Sequence, residues 1–264
     1  MKTIIRPEVR IDSGIVTPER TLEILCGDRR FTAAAANVGK AAMRGMDSEF
    51  DIGRVHLRTA GAIAHGHEGT ISHVVRKEGI TYVTVRGHDD CGFCGLVNGV
   101  VNEGMRVSDS VMGIVQPYST LAFRNREELE RQLAQFNAEY LGYLLPGVRV
   151  TSEVIHTDGV YKSGYHGEKY LIVMESVGQF AAYSDILRAA RAPLEGTYMV
   201  HGRFSETLPH IEIFVKGLGV GNVVFAAFNN AEVGRMGADI AVLNRERFIE
   251  ESGARVSLAK VHRS

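Results

Sequence analysis

The chain has no tryptophan, and aromatic residues fill only 8% of its 264 positions. A platform that binds nucleic acid by stacking bases needs such rings, so their scarcity argues against that class. Neither charge is in excess: 30 Lys and Arg face 31 Asp and Glu, a formal net charge of −1. Nothing in that balance points to nucleic acid or an anionic membrane. Long apolar runs are also missing at the start. MKTIIRPEVRIDSGIVTPER carries charges throughout and offers neither a signal peptide nor a membrane span. Cysteine is rare, with only Cys26, Cys91 and Cys94. An odd, small number in a long chain excludes a disulfide framework and fits a reducing, cytoplasmic setting in which thiols act as ligands or reactive groups.

What remains is ordinary globular composition, 45% hydrophobic and 23% charged, with enough length to bury a sizeable core. Leu22 to Leu25 reads as a buried strand ending at Cys26, and the Ala-rich stretch Phe31 to Arg44 reads as a helix. Arg54 to Leu57 reads as a strand, Thr70 to Lys77 as a helix stopped near Gly79, and Ile80 to Val85 as a strand. Arg126 to Tyr143 is an amphipathic helix, and the charge run Arg126 to Arg131 reads as its solvated face. Further strands are expected at Val148 to Ile155, Tyr170 to Met174, Tyr198 to Val200 and Val223 to Ala227, with a helix over Phe180 to Ala190. Alternating strands and helices define an α/β fold: a mostly parallel central sheet flanked by helices. No linker rich in Pro, Gly or Ser divides the chain. One α/β domain over 1–264 is therefore expected, with a site-bearing part of about 20–165 and a C-terminal extension of about 166–264. A weaker reading splits the chain into halves near Pro146. Gly79-Ile-Thr-Tyr-Val-Thr-Val has an echo in Gly219-Val-Gly-Asn-Val-Val-Phe, which would make the extension a degenerate half with Phe228 and Ala231 opposite His88 and Cys91.

The chemistry-bearing segments are Cys26-Gly-Asp28-Arg29-Arg30 and His88-Asp-Asp-Cys91. Two thiolates and an imidazole suit zinc, and three protein ligands leave a fourth position for catalysis. Both segments follow predicted strands, so the carboxyl edge of a parallel sheet can bring them together. His88 and Cys91 share a tight Gly-flanked turn. If Cys26 to Arg30 is extended, its thiol, carboxylate and guanidinium point to one side.

Cys26-x-Asp28-x-Arg30, Arg58-x-Ala60-Gly61 and the stretch Thr70 to Gly92 together resemble the β-class carbonic anhydrases, over roughly residues 20 to 100. The last segment is the most specific, because a helix, a strand and His-x-x-Cys-Gly follow in family order. The resemblance implies a β-carbonic-anhydrase-like fold and zinc bound by Cys26, His88 and Cys91. It implies a dyad of Asp28 and Arg30 at the fourth coordination position, and Ala60 and Gly61 beside the substrate pocket. It further implies interconversion of CO2 and bicarbonate through a zinc-bound hydroxide, in a homodimer or higher homo-oligomer. Family members with altered pockets hydrolyse carbon disulfide or carbonyl sulfide instead. This chain departs from the pattern at Arg29, where the family has a small Ser, so that either arginine is open as the partner of Asp28 although spacing favours Arg30, and at Thr59, where the family has Asn. Its segment between Cys26 and Arg58 is longer, and nothing beyond about residue 165 has a counterpart.

Other readings compete for the same residues. Cys91-Gly-Phe-Cys94 after a strand is the form of a thiol redox site, although Cys94 as a buried thiol of the next helix is the blander view. A non-catalytic zinc protein acting through binding partners is a third class. His65-Gly-His67-Glu68 reads as a solvated loop, or else as a proton shuttle for the metal site. Gly217-Leu-Gly-Val-Gly221 precedes a strand rather than a helix and fails as a phosphate loop.

Overall fold

The computed structural model describes residues 20–28, 54–155, 166–175 and 183–262. Arg29, Arg30, the helix expected over Phe31 to Arg44, and His156 lie outside the described residues, as do Phe180 to Ala182 of the helix expected from Phe180.

Among the described residues, eight strands form two four-stranded sheets. The first holds β1 (Thr21–Cys26), β2 (Arg54–Thr59), β3 (Tyr82–His88) and β4 (Arg149–Ile155), in the order β2-β1-β3-β4. The second holds β5 (Tyr170–Met174), β6 (Thr197–His201), β7 (Asn222–Ala227) and β8 (Arg255–Lys260), in the matching order β6-β5-β7-β8. Every pairing is parallel. The inner strands of the second sheet, β5 (YLIVM) and β7 (NVVFAA), are nearly continuous apolar runs, as strands covered on both faces tend to be, and β7 is buried at all six positions. Helices supply the cover, as the alternation in the sequence requires.

The helices begin and end where local chemistry dictates. Helix α1 (Glu68–Glu78) stops at Gly79, whose φ of 62° is left-handed and whose N–H returns to the Val75 carbonyl. Helix α2 (Gly92–Asn102) starts directly after Cys91, and α3 (Asp109–Val115) is capped by Ser108. Helix α4 (Arg126–Leu144) is capped by Asn125, whose Oδ1 accepts from the Glu128 N–H at 2.9 Å. In the second half come α5 (Tyr183–Ala190), α6 (Phe204–Glu212), α7 (Asn230–Leu243) and α8 (Arg247–Ser252). Helix α6 contains Pro209 and widens into a π turn over Ile213–Gly217. Among the described residues no helix is long and apolar enough to cross a membrane.

The sheets meet along their β2 and β6 edges. The Arg58 N–H donates to His201 Nδ1 at 2.8 Å, and the Met199 N–H donates to the Gly27 carbonyl at 3.0 Å. One apolar cluster runs through both, from Leu22 and Val83 to Phe214 and Val223.

Candidate metal centre

In the first sheet the chain runs from β1 to β2 on one side, then returns to place β3 on the other. The crevice between the carboxyl ends of β1 and β3 is therefore the switch point at which open parallel sheets collect ligands. Cys26 is the last residue of β1, and His88 is the last of β3. Cys91 follows a turn in which Asp90 takes a positive φ of 54°, a conformation that Asp tolerates better than most residues. Topology thus brings together residues more than sixty positions apart. Ligand atoms of Cys26, His88 and Cys91 all lie within 4.8 Å of one another, and all three residues are buried.

The donor set suits a borderline-soft dication. His88 Nδ1 sits 2.6 Å from the Asp89 carbonyl oxygen. A carbonyl only accepts, so Nδ1 carries the proton and Nε2 is the nitrogen left for a metal. The Cys26 and Cys94 thiols hydrogen-bond to Cys91 and, with His88, pull its thiol well below the usual range. Cys26 moves the other way, because it shares a proton with Cys91 and is buried. Cys94 is buried beside them but stands outside the three ligand atoms that converge.

Backbone amides complete the surroundings of Cys26. Its sulfur accepts the Gly61 N–H at 3.3 Å and is also reached by the Asp28 N–H, which favours its thiolate. Gly61 has a φ of 73°, and a Cβ there would lie 2.5 Å from the Phe93 ring. Only glycine lets the turn approach this closely. Arg58 is wholly buried, with Nη1 3.5 Å from the Cys26 carbonyl. Cys91 is fastened from α4: its N–H donates to Glu130 Oε1 at 3.1 Å, and its carbonyl accepts from Arg126 Nη2 at 2.9 Å.

These helix contacts overturn part of the sequence reading. Glu130 is only 4% exposed, so the run Arg126 to Arg131 is not simply a solvated face. The period of α4 already placed Glu130 beside the buried Leu129, Leu133 and Ala134, which was the available signal. His67 is corrected as well. It is fully buried rather than part of a solvated loop, with Nε2 2.7 Å from His210 Nε2. His201, which carried no spacing signal, and His210, which the sequence reading did not single out, are likewise fully buried between the halves.

A cavity of about 560 Å³ adjoins the centre. Cys26, Asp28, Ala60 and Gly61 line one side. Phe93 and Leu96 add apolar surface from α2, while Phe214 and Leu218 close it from the C-terminal half. Strand register gives the matching positions of the second sheet. Thr21 and Tyr170 occupy equivalent places, so Glu175 stands where Cys26 does; Tyr82 and Asn222 are equivalent, so Phe228 stands where His88 does. The residue capping the next helix is Cys91 in one sheet and Asn229 in the other, because the second turn is shorter than the sequence echo assumed. The second crevice instead holds an ion pair, with Arg235 Nη2 2.7 Å and Nε 3.0 Å from Glu175 Oε2.

No protein-family model matches the chain, and no curated protein does. Solved structures do match. The chain is similar to tetrameric β-carbonic anhydrase from the filamentous ascomycete Sordaria macrospora at 14% identity, over 54% of this chain and 78% of that one, with a TM-score of 0.37. It is similar to the β-carbonic anhydrase CafA of Aspergillus fumigatus at 19% identity, over 54% and 73%, with a TM-score of 0.32. A carbonic anhydrase from Glaciozyma antarctica matches at 21% identity, over 56% and 83%, with a TM-score of 0.31.

Proposed function

We propose that the chain is a zinc-dependent hydratase of the β-carbonic anhydrase type, interconverting CO2 and bicarbonate. The convergence of Cys26, His88 and Cys91 at a strand switch point, with Asp28 beside them on an apolar cavity, carries this reading. Cys26, His88 and Cys91 would hold the zinc, which would supply an acidified water and so a nucleophile near neutral pH. Asp28 accepts a hydrogen bond from the attacking oxygen and orients its lone pair toward the cavity. The resemblance assigns Arg30, which lies outside the described residues, as the partner that would orient the Asp28 carboxylate. Ala60, Gly61, Phe93 and Phe214 supply the wall against which a small apolar substrate rests. Carbonyl sulfide and carbon disulfide, linear triatomics like CO2, are the second reading, since the same apolar cavity admits them.

The C-terminal half belongs to the proposal as a degenerate copy of the first, its ligand positions replaced by Glu175, Phe228 and Asn229. A homo-oligomer of whole chains would then assemble through surfaces other than the β2 edge, which β6 covers within the chain. We assign the protein to the cytoplasm on its cysteine usage.

Metal analysis of protein purified under reducing conditions, combined with stopped-flow CO2 hydration, tests the reading. About one zinc per chain is expected. Cys26→Ser loses both zinc and turnover, whereas Asp28→Asn keeps zinc and loses turnover by about 10²-fold or more. Cys94→Ser keeps both. A thiol redox protein would instead hold no zinc tightly and form a reversible Cys91–Cys94 disulfide. Zinc without turnover of CO2, COS or CS2 would mark a binding protein, and absence of zinc from the reduced protein sinks the proposal.

A further inference from the structure

We infer that His210, in the C-terminal half, is a positioning residue for the metal centre, acting through the Ala60–Gly61 turn on the sulfur of Cys26. The inference rests on the zinc reading above.

His210 Nδ1 lies 3.1 Å from the Ala60 nitrogen, and the following N–H, that of Gly61, donates to Cys26 Sγ at 3.3 Å. A backbone N–H can only donate, so Nδ1 of His210 accepts and its ring proton sits on Nε2. That proton meets His67 Nε2 at 2.7 Å, which must therefore accept. The imidazole is thus locked in one tautomer by two partners, and the turn it holds is packed from the other side by Phe93. Two further bonds cross between the halves nearby. His201 Nδ1 accepts from the Arg58 N–H at 2.8 Å, and the Gly27 carbonyl accepts from the Met199 N–H at 3.0 Å. Gly27 is obligatory at that contact, since a Cβ there would lie 2.3 Å from the Met199 carbonyl oxygen. The C-terminal half thereby grips the residue after Cys26, the buried arginine behind it and the turn that donates to its sulfur. An N–H···S bond withdraws charge from a metal-bound thiolate and fixes its direction. Partners of this kind influence affinity by about 10- to 100-fold when removed.

Two variants of the full chain separate the two hydrogen bonds of His210. His210→Asn places an acceptor near Nδ1, where Ala60 needs it, and gives up the bond to His67. His210→Gln reaches toward His67 but misses Ala60. The probe is Co²⁺, titrated under reducing conditions and followed by its thiolate charge-transfer absorption. His210→Asn is expected to bind within about threefold of the wild type with an unchanged band. His210→Gln is expected to bind about 10- to 100-fold more weakly, with the band moved to longer wavelength because the sulfur has become more electron-rich. Far-UV circular dichroism establishes that both variants are folded; His210→Ala, which opens a buried hole, is not needed. Equal affinities and bands in the two folded variants, or a loss in Asn but not in Gln, overturn the positioning role while leaving the zinc reading standing. A wild-type chain that takes up no cobalt overturns both.

Discussion

The sulfur of Cys26 is governed by its neighbours more than by its own position in β1. Gly61 reaches it only because the turn Ala60–Ala62 adopts left-handed φ at Gly61 and Ala62, 73° and 56°. Gly61→Ala should therefore be costly twice, through the strained φ and through a Cβ driven into Phe93. A loss of about 1–3 kcal/mol is expected in urea unfolding, with weaker metal uptake. Stability within about 0.5 kcal/mol of the wild type would show that the turn adjusts freely. Cys26, His88 and Cys91 were legible as candidate ligands because thiols are rare in this chain and the spacing of His88 and Cys91 is informative. His210 was not legible, because a histidine that accepts a backbone N–H from another element carries no mark in its own segment.

Among the elements, α1 and α6 are tied head to head by one carboxylate. Glu206 accepts from the Arg203 N–H at 3.0 Å as the capping group of its own helix. It also accepts from the Thr70 N–H at 3.2 Å and from the Thr70 hydroxyl, in the first turn of α1. A negative group shared by two helix N-termini is doubly favourable. Glu206→Ala should cost about 1–3 kcal/mol, read as a lower urea midpoint, and Glu206→Gln less, because its oxygen still accepts. The ends of most named strands and helices were legible: Gly79 ends α1 and α4 begins at Arg126, as the sequence suggested. β3 begins at Tyr82 rather than Ile80, and β8 was missed because it is an edge strand with little buried apolar pattern.

At the scale of the molecule, three neutral histidines are sealed between the halves. Burial lowers His67 to about 4 and His201 to about 3, and lowers His210 as well. In the unfolded chain these groups take up protons near pH 6.5, so between about 6.5 and the lowered values the unfolded state binds more protons. Stability is then complete above pH 6.5 and falls as pH drops through that window. For His67 and for His201 the loss is on the order of 2 kcal/mol each by pH 5, and His210 adds to it in the same direction. Urea midpoints measured at pH 7.5, 6 and 5 should decline in step, and replacing His201 by Asn should flatten the decline. A pH-independent midpoint would mean that these imidazoles are not sealed.

The sequence by itself determined the α/β class, the strands that carry Cys26 and His88, and the residue types of a candidate metal centre. Strand propensity, capping and ligand chemistry are local properties, and local properties are written in consecutive residues. Tertiary structure alone decided that the C-terminal hundred residues form a second sheet of the same order, that β6 lies against β2, and that Phe214, His201 and His210 come to the first site. Those contacts join residues about 140 to 190 positions apart, where only the closure of a common core selects partners.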